Sequence, residues 1–349
     1  MKKSLFLAAL ATIALASCTQ NELTIERQEI GFSPLQYKAV NSKTIITGNI
    51  YPSDLPFGLY AYHNDGSSNK LYINNATCSY NSDAKTFISN PIAYWPLSGT
   101  LGMVAWSPKT ETITADYDLE NKELILPFVA AGKEANPVDL MYSTPLTDLT
   151  KERHNSANYT GVNGGGAGVG ITFKHALSQI VVTAKVAQEY AGATFKINSI
   201  SLQQMNDNAT LTVAESGDPV ASWGWDEDTK LKNALFQILD DEEAVSYTTG
   251  DVPQVGKAVL VIPQDLENNK QKLVISYSMT FNNVTTSTTK YVDLNSGTND
   301  ALTKLDMGKK YTLNLTLYAD RILYSPSIEE DWSVGGSSYD VPEQPAAGN

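Results

Sequence analysis

The chain has few of the side chains that staple small folds or hold metals. Its 349 residues include two cysteines and three histidines. Two cysteines exclude a disulfide scaffold, and three histidines leave little for metal ligation or acid–base catalysis. We therefore expect no cofactor, no metal and no catalytic residue, and an enzyme ranks last among the functions considered.

Positive charge and long apolar runs are scarce as well. The chain has 25 Lys and Arg residues against 38 Asp and Glu residues, which gives a formal net charge of −13. No basic stripe is available to neutralise phosphates, so nucleic acid is excluded as a partner. Beyond the N-terminus, no segment approaches the ~18 consecutive apolar residues of a membrane-spanning helix. A hydrophobic share of 42% is instead that of a globular protein.

The N-terminus carries a targeting signal. Two lysines precede an apolar run over residues 5–16, which is too short to span a bilayer and is typical of a secretory signal peptide. The run ends in Leu-Ala-Ser-Cys at 15–18, which resembles the bacterial lipobox. That resemblance implies cleavage before Cys18, lipid on Cys18 and delivery to the outer membrane; the alternative is an ordinary signal with a chance cysteine.

The body of the chain alternates apolar and polar residues with a period of two, which predicts strands. The alternating runs cover residues 57–61, 180–186, 273–281 and 311–317, and residues 258–262 are continuously apolar. We predict helix only at residues 231–239 and 301–307. The class is therefore all-β, built from sandwiches.

The remaining patterns favour structure over chemistry. The glycine-rich stretch at 155–170 lacks the spacing of a phosphate loop and is interpreted as an interdomain connection or a long hairpin loop. The acidic run at 240–243 lacks the alternating ligands of a calcium loop and is interpreted as a solvated loop. His175 is interpreted as structural. Trp223 and Trp225 fall on one face of a strand, where they either fill a core or stack on sugars.

Five short motifs, in order after the lipobox, resemble one family. They are YWP at 94–96, DLMY at 139–142, ITFKHALS at 171–178, GKA at 256–258 leading into LVIPQ at 260–264, and GKKYTLN at 308–314. Together they resemble the fimbrillin-like lipoproteins of the Bacteroidetes, which include type V pilins. The resemblance implies two elongated β-sandwich domains of transthyretin-like topology. It also implies outer-membrane delivery, proteolytic maturation and assembly by strand exchange with other fimbrial subunits.

These inferences divide the chain into five parts. A signal peptide covers residues 1–17, an anchor with a strand or tether 18–29, an N-terminal sandwich 30–160, a C-terminal sandwich 161–335, and a polar tail 336–349. The expected function is a surface-anchored fimbrial subunit or adhesin that meets host or bacterial surface ligands. The alternative is a glycan-binding outer-membrane lipoprotein of a polysaccharide-uptake system, with Trp223 and Trp225 as stacking platforms.

Two segments bear on assembly. Leu23 and Ile25 lie two residues apart and face one side of an extended strand, and Arg27 follows as a site for a trypsin-like protease. Cleavage there would release the strand, and the alternative is a passive tether. The C-terminal residues Val334, Tyr339 and Val341 do not share one face, so the tail is a poor donor strand and a tip or accessory role is as plausible as a stalk.

Overall fold

The computed structural model describes residues 27–36, 51–130, 138–154, 168–190, 192–225, 234–241, 244–247, 254–295 and 302–329. The regular secondary structure of the described residues is almost entirely β-strand. The strands are β1 (Gly31–Gln36), β2 (Phe57–Asn64), β3 (Asn69–Asn81), β4 (Thr86–Asn90), β5 (Thr100–Ser107), β6 (Asp116–Asp118), β7 (Glu123–Val129), β8 (Met141–Ser143), β9 (Leu146–Leu149), β10 (Val169–His175), β11 (Ser178–Val186), β12 (Thr194–Met205), β13 (Asn208–Ala214), β14 (Ala221–Gly224), β15 (Ala234–Leu239), β16 (Val245–Tyr247), β17 (Gln254–Val261), β18 (Lys272–Phe281), β19 (Val284–Asp293), β20 (Lys310–Leu317) and β21 (Ile322–Glu329). A single-turn helix, α1 (Lys151–His154), and a 3₁₀ turn, Gln188–Tyr190, complete the described elements.

The first sheet closes on itself. Its strand order is β2-β3-β4-β1-β10-β8-β5-β9, and β5 also pairs with β2, so the sheet returns to its starting strand. β1 lies inside it, antiparallel to β4 and parallel to β10. Because closure leaves no long free edge in the ring, we call this the closed sheet.

Closure rests on two pairs of a glycine and an aromatic residue between β2 and β5. Gly58 lies opposite Trp106, and Gly102 lies opposite Tyr62. A Cβ added at Gly58 would lie 2.1 Å from the Trp106 ring, and one added at Gly102 would lie 2.2 Å from the Tyr62 ring. Each ring therefore occupies the space that its partner's side chain would need, and only glycine fits there.

The second half of the chain forms an open sandwich. One sheet has the order β17-β11-β20-β21, and the other has the order β15-β12-β18-β19, with β16 also pairing with β12. Alternate side chains enter one shared core, including Ile180 and Val182 from the first sheet and Ile275 and Tyr277 from the second. The predicted alternation in β11 and β20 is confirmed, as is the buried strand that ends before Pro263. In β18 it is confirmed from Leu273 to Tyr277, but Phe281 is exposed.

A fourth sheet combines both halves of the chain. Its order is β14-β13-β7-β6, so residues 116–129 pair with residues 208–224. An aromatic column supports it, because Tyr60 stacks on Trp106 and on Tyr117 with 5.4 Å between ring centroids in each pair. Tyr60 and Trp106 of the closed sheet thus join the fourth sheet and the sandwich in one hydrophobic core. A second core belongs to the closed sheet alone and includes Phe32, Phe57 and Phe173.

Several sequence-based predictions need correction or lie elsewhere. The all-β class is confirmed, but the helix predicted at 231–239 is wrong, since residues 234–239 form β15 and pair with β12. The helix predicted at 301–307 is wrong over residues 302–307, where Lys304 forms a bridge with Asp265. The boundary after residue 160 stays a prediction, although β10 pairs within the closed sheet. Most of the glycine stretch, the signal peptide and the tail at 336–349 lie outside the described residues.

Candidate functional site

The chain joins the fold immediately after Arg27. The Trp95 N–H donates to the Gln28 carbonyl at 2.9 Å, and the Ile30 N–H donates to the Ala93 carbonyl at 2.9 Å. Arg27 itself is exposed and belongs to no described element. A protease could therefore reach the Arg27 peptide bond without disturbing the backbone pairs that follow it.

The residues after Arg27 are held by the core of the closed sheet. Ile30 and Phe32 are fully buried, and the Phe32 ring meets Phe57 edge to face at 6.2 Å. The Thr86 hydroxyl donates to the Phe32 carbonyl at 2.7 Å. Trp95 is buried as well, at 5% exposed. Removal of everything up to Arg27 would leave this anchorage intact.

An exposed apolar patch lies beside Arg27. We define the patch as Tyr72, Ile92 and Leu97, which are 39%, 46% and 77% exposed. The Tyr72 hydroxyl donates to the Tyr94 carbonyl at 2.5 Å, next to the backbone pairs that receive the chain after Arg27. Burial raises the pKa of Tyr72, and the nearby charge of Arg27 opposes that shift. Tyr72, the patch residue on β3, thus lies within electrostatic range of Arg27.

The predicted strand-exchange residues Leu23 and Ile25, and the lipidation residue Cys18, lie outside the described residues. Sequence reasoning missed the patch, since Tyr72, Ile92 and Leu97 show no common period. The exposure of Leu97 is visible only in the structure.

The two tryptophans of the glycan alternative pack onto the core. The Trp223 ring lies 6.2 Å from Phe128, and its indole N–H donates to the Ala176 carbonyl at 2.9 Å. Trp225 is partly buried against the same core. A ring that stacks on a sugar needs one open face and free orientation, whereas Trp223 is fixed by a hydrogen bond. These contacts do not favour a glycan platform.

The other residues with reactive potential have structural contacts. His175 Nδ1 lies 3.0 Å from an Asp139 carboxylate oxygen. His63 belongs to β2, and its Nε2 lies 2.7 Å from the Ser98 carbonyl oxygen. Cys78 is buried in β3, and burial raises the pKa of its thiol. Among the described residues, no three His, Cys, Asp or Glu side chains gather as metal ligands. The described part of the chain also has no helix that is long and apolar enough to cross a bilayer.

Comparison with solved structures shows the same fold in bacterial surface proteins. A fimbrial protein from Bacteroides vulgatus is 16% identical and superposes with a TM-score of 0.56, over 87% of this chain and 99% of that one. A protein from Bacteroides uniformis with the provisional name of cell adhesion protein is 16% identical with a TM-score of 0.52, over 88% of this chain and 98% of that one. No protein with a curated description matches the sequence. The Fimbrillin-like family model matches residues 44–332, most of the chain, and the protein therefore belongs to the fimbrillin-like family.

Proposed function

We propose that the protein is a surface-anchored fimbrial subunit or adhesin that assembles with other fimbrial subunits by β-strand exchange. Membership of the fimbrillin-like family supports the fimbrial role. The observation that carries the mechanism is the position of Arg27, exposed and directly ahead of the hydrogen-bonded residues 28–30. In this proposal the protein performs no catalysis.

The segment before Arg27 acts as a removable cover. Leu23 and Ile25 pack on the patch of Tyr72, Ile92 and Leu97, with burial worth ~1.5–3 kcal/mol for each side chain. Cleavage after Arg27 removes the cover and separates the subunit from the lipid on Cys18. The uncovered patch then receives an extended strand from a neighbouring subunit, whose main chain supplies hydrogen bonds and whose alternate side chains fill the patch.

The anchor is tested by replacing Cys18. Because the described fold begins at residue 27, Cys18→Ala should move the protein from the membrane fraction to the soluble fraction while its thermal unfolding midpoint stays unchanged. Detergent-phase partitioning of both chains measures this. Equal partitioning into the detergent phase would refute lipid anchoring at Cys18.

Maturation is tested with an arginine-specific protease on the purified Cys18→Ala chain. We expect loss of the residues up to Arg27, read by intact mass, followed by oligomers in sedimentation. Arg27→Lys is the matched control, because it keeps the charge but removes the cleavage site. A cut product that stays monomeric would show that the segment is a passive tether.

A further inference from the structure

β19 is a long strand at the margin of the open sandwich. Its ten residues pair with β18 at every position from Val284 to Asp293, without a register shift. It ends the strand order of its sheet, and within the described ranges no strand pairs with its other side. Among the described residues, no strand therefore pairs with the backbone N–H and C=O groups along this edge, and Lys290 Nζ donates to the Asp320 carbonyl at 2.6 Å.

The β18–β19 turn determines which backbone groups face outward. Asn282 and Asn283 have φ values of 49° and 61°, the signature of a two-residue type I′ turn. Such a turn makes Phe281 and Val284 a hydrogen-bonded pair, and hydrogen-bonded and non-bonded pairs then alternate along the ladder. The residues whose backbone groups point away from β18 are therefore Thr285, Ser287, Thr289, Tyr291 and Asp293.

Natural edge strands usually have features that prevent pairing with another strand, such as charged residues, prolines or bulges, and β19 has few of these features. From Val284 to Val292 it has one charge, Lys290, and no proline or bulge. The other margins of the described sheets differ. β21 contains Pro326, which has no N–H to donate to a further strand, and β6, β14 and β16 have four residues or fewer. β17 is covered, because its Gly256 lies against the Ile238 carbonyl of β15.

We propose that the free edge of β19 pairs antiparallel with β19 of a second copy of this chain. The partner must offer an equally long, straight and weakly charged edge, and within the described residues β19 is the strand that does so. Outward groups must meet outward groups, so an odd-numbered residue has to face an odd-numbered one. The register with the greatest overlap places Thr289 on the two-fold axis, Ser287 opposite Tyr291 and Thr285 opposite Asp293.

Charge and hydrogen-bond count select this register over its neighbours. It forms five hydrogen-bonded residue pairs and sets Lys290 opposite Thr288, with no like charges facing each other. Moving the two-fold axis from residue 289 to residue 290 brings Lys290 opposite its own copy. Moving the axis to residue 288 leaves four hydrogen-bonded pairs. The contact is a side-by-side one and is independent of the strand exchange proposed above.

Cysteine trapping tests both the contact and its register. Thr289→Cys and Thr285→Cys are matched, since both residues are exposed threonines whose backbone groups point outward. In the proposed register the two copies of residue 289 have Cα atoms about 5.5 Å apart, within disulfide range. The two copies of residue 285 lie about 26 Å apart, eight residues along the strand.

The cysteine variants are made in the full chain, oxidised in the cells that produce it and separated on non-reducing gels. We expect at least tenfold more covalent dimer for Thr289→Cys than for Thr285→Cys. The parent chain gives the background from Cys18, and Cys78 is buried. Equal trapping at both positions, stronger trapping at residue 285, or no trapping above background would overturn the proposal.

A proline variant tests the contact without an added thiol. The Thr289 N–H points away from β18, so Thr289→Pro removes a donor from the free edge and leaves the β18 ladder complete. We expect Thr289→Pro to sediment as a monomer at concentrations where the parent chain dimerises. Its thermal midpoint should equal that of the parent chain at dilutions where both are monomeric. A parent chain that is monomeric, or a folded Thr289→Pro chain that still dimerises, would contradict the proposal.

Discussion

The closed sheet and the open sandwich differ in whether their sheets have free edge strands. The closed sheet returns from β5 to β2, so the strands of its ring have neighbours on both sides. The open sandwich ends in β19 and β21, where side chains such as Tyr291 and Leu323 are 65% and 50% exposed. A closed sheet has no unpaired backbone edge to which a further strand could bind, whereas an open sheet has one at each margin.

This difference shows where assembly needs a prior event and where it does not. In our proposal, assembly beside the closed sheet follows cleavage after Arg27, which leaves the strands of the ring in place. At β19 the edge is already open, and association there depends on concentration alone. The same chain thus combines a controlled contact with an uncontrolled one in our two proposals.

The largest expected effect comes from breaking the closure itself. Trp106 is fully buried, and its ring covers Gly58 and stacks on Tyr60. Trp106→Ala should lower the free energy of unfolding by about 3–5 kcal/mol, because it leaves a cavity where β2 meets β5. Urea unfolding measures this. Trp106→Phe is the control and should cost clearly less, since within the described residues the indole N–H has no hydrogen-bond partner.

A smaller effect is expected from crowding the same pair. Gly58→Ala places a methyl group 2.1 Å from the Trp106 ring position and should destabilise the fold by about 1–3 kcal/mol. Gly224→Ala, in β14, is the matched control, because the nearest atom to its added Cβ lies 3.8 Å away. Thermal scans of the two variants should separate. Equal midpoints would show that closure does not depend on the glycine–aromatic pair.

The smallest effect concerns the link between the closed sheet and the fourth sheet. Glu215 accepts a hydrogen bond from the Tyr62 hydroxyl, and Lys122 Nζ lies 2.7 Å from its carboxylate. Glu215→Gln should cost about 1 kcal/mol, because the pair is partly exposed and therefore screened.

The same link predicts a pH dependence with a definite sign. The hydrogen bond that Lys122 donates to the Glu215 carboxylate is the main cause that raises the pKa of Lys122. A raised pKa means that the folded state binds this proton more tightly, so the contribution is complete at neutral pH and is lost as pH rises through that pKa, above about 10.4. The stability gap between the parent chain and Glu215→Gln should therefore close in alkaline urea titrations. A gap that persists above that range would contradict the assignment.

Local patterns were enough to predict the strands of the sandwich but not their partners. β20 buries alternate side chains over its whole length, whereas β18 does so from Leu273 to Tyr277 and leaves Phe281 exposed. β15 was missed because its six residues include two adjacent buried ones, Ile238 and Leu239, so neither period is clear. Its strand conformation comes from pairing with β12, a tertiary effect that a local pattern does not contain.

Closure of the first sheet was also beyond local reasoning. Gly58 and Gly102 interrupt apolar strands, which is a general sign of a close approach, but nothing in the sequence says that Trp106 and Tyr62 fill those spaces. Of the candidate site, Arg27 and Trp95 could be singled out from sequence. The patch of Tyr72, Ile92 and Leu97 could not, since it combines a residue of β3 with two from the connection between β4 and β5.

The parallel pairing of β1 also has a consequence for the order of events during export. Phe32 pairs with Val169, so the first strand to emerge cannot complete its ladder until most of the first half of the chain has followed it. The pairing of β7 with β13 is delayed in the same way, since Glu123 pairs with Ala214. Such distant pairings slow folding because a long loop must close before they contribute. If the chain leaves the cell N-terminus first, β1 therefore lacks its β10 partner until residue 169 has followed. The closed sheet is completed late rather than early.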